Sequence, residues 1–232
     1  TGRDSSAIRT SSIPCLLFLR TLFTCFLQFS QITFTAFFTG EHGSMPKSSI
    51  RRKMLAHRRS LSEDEFRRAS LSIQRLFLET PEYLNARGIV VYSPIYKEVD
   101  TKMIIHEALT CGKRVALPAV VHHGLVFREV SEISSLKRGA FGIMEPAGSS
   151  RLVQLAEVDI FVLPGVAFDL TGHRVGYGKG YYDRTPHRIE GQGRLVGLCH
   201  DFQLLDRIAG EPHDVKMDLI ISEKRIIRTG HS

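Results

Sequence analysis

The run VDIFVLP, Val158 to Pro164, is apolar at every position but Asp159 and shows no polar alternation. A strand that reads this way is buried on both faces, and that requires helices above and below its sheet. Four more short runs share the pattern: GIVVYS (Gly88 to Ser93), RVALPAVV (Arg114 to Val121), RLVGLCH (Arg194 to His200) and DLIIS (Asp218 to Ser222). Between the first two lies DTKMIIHEALTCG, helical in period, with Asp100 or Thr101 as cap and Gly112 as stop. LVFREV follows His122, His123 and Gly124 and reads as the hairpin partner of RVALPAVV. The alternation predicts an α/β fold, a mainly parallel central sheet flanked by helices and Rossmann-like in organisation.

A helical pair precedes these strands. KSSIRRKMLAHRR, from Lys47, is helical in period through Ile50, Met54 and Leu55. Ser62 to Glu65 form a capping box, and Phe66, Ala69, Ile73, Leu76 and Phe77 then recur at helical spacing. The net charge of +7 is concentrated here: Met45 to Arg75 carry nine Lys or Arg against three acids. Residues from Leu76 onward sum to zero. A nucleic-acid binder spreads its basic footprint over a whole face, so no nucleic-acid partner is expected. A local basic arm suits a phosphorylated small molecule. Most of its arginines are expected to form a solvated helix face.

Residues 1–44 read differently. Cys15 to Phe38 are apolar and rich in Phe and Thr, but Arg20, Gln28 and Gln31 interrupt them. An arginine well inside a membrane span costs roughly 2.5–3.5 kcal/mol. Upstream sequence before a natural start at Met45, a targeting peptide and a membrane anchor are the three readings. The expected organisation is an N-terminal extension, 1–44, outside the fold, and one domain, 45–232, without stable membrane association. The four cysteines form no C-x-x-C pair, which points to a reducing, cytoplasmic setting, or an organellar one if 1–44 are a presequence.

In parallel sheets ligands bind beyond the carboxyl ends of the strands. That rule selects the loop from Ser93 to Asp100 and the loop after Leu163, which contains RVGYGKGYYDR, Arg174 to Arg184. Glycines at 176, 178 and 180 allow positive φ and close approach of a ligand to the amides. Lys179 offers a compact cation to a phosphate, and Asp183 a carboxylate to Mg²⁺. A glycine-rich strand-to-helix turn with packed tyrosines is the plainer alternative. FDLTGHR is expected to turn at Thr171-Gly172, with Asp169 bonding its own backbone and His173 solvated. Asp214 and Asp218 are candidates for a second magnesium contact or a strand cap.

LPGVAFDLTGHRVGYGKGYYDR, with KSSIR, YSPIYKEVDT, FGIMEPAG and HDVKMD in order, resembles the 5-formyltetrahydrofolate cyclo-ligase family from Met45 to about Arg228. The resemblance implies a fold like that of sugar-phosphate isomerases and CoA transferases. It also implies ATP- and Mg²⁺-dependent closure of 5-formyltetrahydrofolate to 5,10-methenyltetrahydrofolate; a monomer is expected. By position, Lys47, Ser48, Ser49, Ile50 and Arg51 match an ATP-contacting segment. Arg174, Val175, Gly176, Tyr177, Gly178, Lys179, Gly180, Tyr181 and Tyr182 match the ATP loop, and Tyr177 to Tyr181 overlap its folate contacts. Ser93 and Glu98 match folate-contacting positions, and Asp183 and Asp214 magnesium positions. Lys179, Arg174 and Lys47 are the charges expected to act in catalysis. Relatives often carry arginine where this chain has Tyr177, so any charge role there is absent or moved to Arg174. A sugar-phosphate isomerase or CoA transferase on the same fold, and a basic binding module, are the alternatives; neither needs both the KSSIR arm and the two aspartates.

Overall fold

Five strands whose side chains are buried on both faces lie side by side: β1 (Gly88–Val91), β2 (Arg114–Val121), β6 (Ile160–Leu163), β9 (Arg194–Leu198) and β11 (Leu219–Ile221). The computed structural model describes residues 45–121, 124–139, 143–178, 189, 191–211 and 214–230. The sheet order is β12-β11-β9-β6-β1-β2-β3, with every pairing from β11 to β2 parallel. The edge strands β3 (Gly124–Val130) and β12 (Ile226–Arg228) run antiparallel to their neighbours, β3 as the expected hairpin partner of β2. Two minor strands, β4 (Lys137–Arg138) and β5 (Met144–Glu145), pair with each other.

Period-2 alternation divides the core between the faces of this sheet. Ile89, Val91, Ile160, Val162, Leu219 and Ile221 pack with Ile73 and Phe77 of α2 (Glu63–Leu78) and with Ile104, Ile105 and Ala108 of α4 (Lys102–Thr110). Val90, Phe161, Leu163 and Ile220 point the other way, toward Phe127, Phe168 and Ile189. The capping box is present in both directions, with Ser62 accepting from the Glu65 amide and Glu65 from the Ser62 amide. At α4 the cap falls to Asp100, whose Oδ1 accepts from the Lys102 amide at 3.1 Å. The Thr101 hydroxyl is committed elsewhere, to the Tyr92 carbonyl. A short helix, α3 (Pro81–Asn85), links α2 to β1.

A second, three-stranded sheet carries the first helix. β7 (Ala167–Asp169) pairs antiparallel with β8 (Arg174–Val175) and parallel with β10 (Leu204–Leu205). Ile50 and Met54 of α1 (Lys47–Ser60) bury against Val166, Ala167, Val175 and Ile208. The hairpin between β7 and β8 turns as expected, with Asp169 Oδ1 accepting from the amides of Thr171 and His173.

Phe168 fixes the small sheet to the large one. Its fully buried ring lies against Gly165 and against Gly197 of β9, and a Cβ at either glycine would overlap the ring. Gly197→Ala is therefore expected to cost about 1–3 kcal/mol through overpacking. Urea denaturation measures it, and adding Phe168→Leu should recover part of the loss. An unchanged midpoint for Gly197→Ala would show that the ring gives way freely.

Candidate active site

The chain leaves β1 toward β2 on one side, and later returns on the other through β6, β9 and β11. A reversal of this kind opens a crevice at the carboxyl ends of the strands. The two loops selected from the sequence flank it: Tyr92 to Thr101 after β1, and Pro164 to Val166 after β6, which leads through the β7–β8 hairpin to Gly176 and Gly178.

α1 lies along the second of these. At 100° per residue, Lys47, Arg51 and Arg58 fall within about 40° of one line, and about 16 Å of helix separates the first from the last. Each cation has its own partner. Lys47 Nζ meets Asp214 at 2.8 Å and Glu211 at 3.3 Å. Partial burial opposes the charge on Lys47, but the two carboxylates outweigh it and hold the ammonium above its usual range. Arg51 Nε donates to the Gly176 carbonyl at 2.8 Å. A Cβ on Gly178, where φ is +80°, would lie 3.3 Å from the Arg51 guanidinium carbon, so space and backbone both favour glycine there.

Arg58 is buried with 1 % of its surface exposed, and Glu98, 4 % exposed, faces it. Arg58 Nη1 stands 3.9 Å from Glu98 Oε1. Arg58 Nη2 also donates to the Tyr177 hydroxyl, which in turn donates to Glu98 Oε1 at 2.7 Å. Glu98 Oε2 accepts from the Ile95 amide at 3.0 Å. Burial pushes the Glu98 carboxyl above the ordinary range, against the pull of Arg58, the Ile95 amide and Tyr177. Burial and the Glu98 charge raise the Tyr177 phenol, which keeps it a donor.

The loop that presents Glu98 is strained. Tyr96 and Lys97 have φ of 49° and 56°, and Glu98 N donates to Ile95 O at 2.9 Å across them. Two left-handed central residues are the pattern of a type I′ turn, which prefers Asn-Gly. Each L-residue with a bulky side chain costs roughly 1–2 kcal/mol there. Arg58 Nε holds the Tyr96 carbonyl at 2.8 Å, His200 Nε2 the Lys97 carbonyl at 3.1 Å, and Lys97 Nζ reaches the Leu61 carbonyl. The His200 ring is buried beside Phe66 and stacks on Phe202, which stacks on His57.

The structure thus brings Lys47 and Asp214 together at one end of α1, Arg51 against Gly176 and Gly178, and Glu98 and the Tyr177 hydroxyl together at the other end. Ser48 and Ser49 lie on the first turn of α1, exposed and half-buried, and Ser93 is half-buried at the start of its loop. Ile50 and Val175 are core residues; their side chains pack inward. Lys179, Gly180, Tyr181, Tyr182 and Asp183 lie outside the described residues, as do His122 and His123. Among the described residues no three His, Cys, Asp or Glu side chains gather as a metal group. A cleft of about 700 Å³ borders Asp214 and Lys216, but it opens at the amino ends of β6, β9 and β11, away from Glu98.

Two expectations are corrected, at Arg58 and at His173. Arg58 is not part of a solvated helix face: it continues the 50, 54, 58 stripe into the interior, and that i+4 step was the available signal. The Arg174 guanidinium donates to the Pro164 carbonyl at 2.9 Å, and it is Arg58 that meets the Tyr177 hydroxyl. His173 is partly buried, with Nδ1 3.1 Å from Asp169 Oδ2. Asp218 is a strand tie, accepting from the Leu195 amide at 2.7 Å.

A parallel sheet, covered on both faces, with charged side chains gathered around a strand-end crevice defines an α/β enzyme. The model of the 5-formyltetrahydrofolate cyclo-ligase family matches residues 44–223, and the chain belongs to that family. It is 29% identical over 185 residues to the 5-formyltetrahydrofolate cyclo-ligase of Mycolicibacterium smegmatis, covering 77% of this chain and 94% of that protein. It is 31% identical over 182 residues to the enzyme of Haemophilus influenzae, covering 75% and 97%. The NMR structure of Aquifex aeolicus 5,10-methenyltetrahydrofolate synthetase superposes with a TM-score of 0.73 at 38% identity, covering 81% of this chain and 96% of that one. The chain is therefore a ligase of folate metabolism. No helix among the described residues is long and apolar enough to cross a membrane.

The turn gives a pH prediction. Burial lowers the pKa of His200 below its ordinary 6.5, so the folded state holds it neutral, with Nε2 donating. The unfolded chain takes up the proton first, so His200's contribution is present above the unfolded pKa and is lost as pH falls below it. The stability difference between the natural chain and His200→Gln should shrink from pH 7.5 to 5.5 in urea titrations. A difference independent of pH would contradict a neutral, donating His200.

Proposed function

We propose that this chain converts 5-formyltetrahydrofolate to 5,10-methenyltetrahydrofolate with consumption of ATP, release of ADP and phosphate, and a requirement for Mg²⁺. The line of three cations along α1 carries the reading. It offers Lys47 and Arg51 to a phosphate beside the glycine segment, and the same segment carries Tyr177 to the buried polar end at Arg58 and Glu98.

The chemistry asks for such an arrangement. A formamide oxygen is a poor leaving group, so it first attacks the γ-phosphorus of ATP and ADP departs. N10 of the folate then attacks the activated formyl carbon. The C–O bond breaks, phosphate leaves with the former formyl oxygen, and N10 gives up its proton as the ring closes. No protein nucleophile is needed; positioning and charge stabilisation suffice. Lys47, Arg174 and Lys179 would meet the charge on the transferring phosphoryl group. Gly178, free of a Cβ, lets ligand and backbone approach closely. Glu98 gives acceptor positions to Tyr177 and Ile95; a carboxylate has about four in all, and the remainder would read the N–H groups of the folate ring system beside Ser93.

Mg²⁺ fits the donor chemistry at the other end: it takes one or two carboxylates together with phosphate oxygens, and Asp214 and Glu211 stand beside the Lys47 ammonium. Asp214, with Asp183, would hold it, and the ion would neutralise charge on the phosphate oxygens.

The test mixes the protein with Mg²⁺, ATP and 5-formyltetrahydrofolate carrying ¹⁸O in the formyl group, and follows methenyl absorbance in the near ultraviolet. An ATP-dependent rise with the label in inorganic phosphate is expected, and label released into water would contradict the phosphorylated intermediate. Lys179→Ala should impair ATP use, Asp214→Ala should raise the magnesium requirement, and Glu98→Gln should raise KM for the folate more than for ATP.

A further inference from the structure

Tyr96 combines two properties that are unfavourable separately. It stands in the left-handed region, and among the large hydrophobic side chains described it is the most exposed, at 65 %. Its ring and hydroxyl make no hydrogen bond or ring contact with the described residues. Its backbone is held firmly all the same. The Tyr96 carbonyl is taken by Arg58, the next carbonyl by His200, the Lys97 ammonium by Leu61, and the turn is closed by Glu98 and Ile95. Backbone strain maintained by surrounding bonds gathers at ligand sites. A bare ring on a rigid turn, two residues before the buried acid, is a preorganised stacking surface.

We propose that Tyr96 is a specificity-determining residue: its ring is the wall on which the flat ring system of the folate substrate stacks beside Glu98. The inference rests on the reading of this end of α1 as the folate end. Folate is favoured over the adenine of ATP because Tyr96 stands two residues before Glu98, the acceptor assigned above to the N–H groups of the folate ring system, and its carbonyl is held by the same Arg58 that faces Glu98.

Asn and Gly both tolerate the left-handed backbone, so Tyr96→Asn and Tyr96→Gly remove the ring while sparing the turn, and Tyr96→Phe keeps the ring. Binding of 5-formyltetrahydrofolate is measured by calorimetry, with KM for both substrates and thermal midpoints alongside. Tyr96→Phe should bind within about twofold of the natural chain, and the Asn and Gly variants about tenfold more weakly. Their KM for ATP should be unchanged, and their thermal midpoints equal or higher as the turn relaxes. Natural-strength folate binding by Tyr96→Asn would overturn the proposal, and so would a raised KM for ATP with folate binding intact. Folded natural protein that binds no 5-formyltetrahydrofolate would overturn the wider reading and this one with it; that failure is visible before any variant is made.

Discussion

A guanidinium and a carboxylate face each other in the interior, and among the described residues the site is arranged around them. Taking Arg58 and Glu98 out of water costs several kcal/mol for each ion, and their attraction offsets that only with well-placed partners for the remaining donors and acceptors. The partners here are the Tyr96 carbonyl, the Tyr177 hydroxyl and the Ile95 amide. Satisfying one pair of charges therefore fixes the end of α1, the strained turn after β1 and the glycine segment after β8 relative to one another. Three segments distant in sequence converge because none can move without leaving a buried charge unpaired.

The sheet makes the convergence geometrically available. β1 and β6 are adjacent and parallel, so their carboxyl-end loops emerge side by side. Phe168, wedged on Gly165 and Gly197, ties the small sheet to the large one, and α1 rides on the small sheet through Ile50 and Met54. The helix then acts as a rigid ruler. Its cationic line places one end at Asp214 and the other at Glu98.

Much of this architecture was legible in the chain. Uninterrupted apolar runs such as IFVL mean burial on both faces, and from that the parallel sheet and the two ligand loops follow. The capping box at Ser62 and the Asp169 turn are local chemistry, readable without tertiary context. Arg58 was not, because charge alone classes it with its solvated neighbours, and only its step from Ile50 and Met54 distinguishes it. Glu98 was legible as a candidate from its loop and from the family resemblance, but its burial was not, since Arg58 and Tyr177, residues distant in sequence, produce it. The left-handed backbone at Tyr96 and Lys97 had no signal at all: neither residue prefers it, and it exists because contacts from α1 and His200 impose it. The family resemblance supplied candidate site positions, but not the cation beneath Tyr177.

The Arg58–Glu98 pair can be examined directly by a double-mutant cycle on the full chain, with Arg58→Leu, Glu98→Gln and the two together in urea denaturation. Each single change leaves the other charge buried without its partner, a loss of about 3–5 kcal/mol. If the pair holds the site together, the double variant will be more stable than the singles predict, with a coupling of about 1.5–3 kcal/mol. Additive losses, with a coupling near zero, would show that Arg58 and Glu98 act independently and that the site is held by something else.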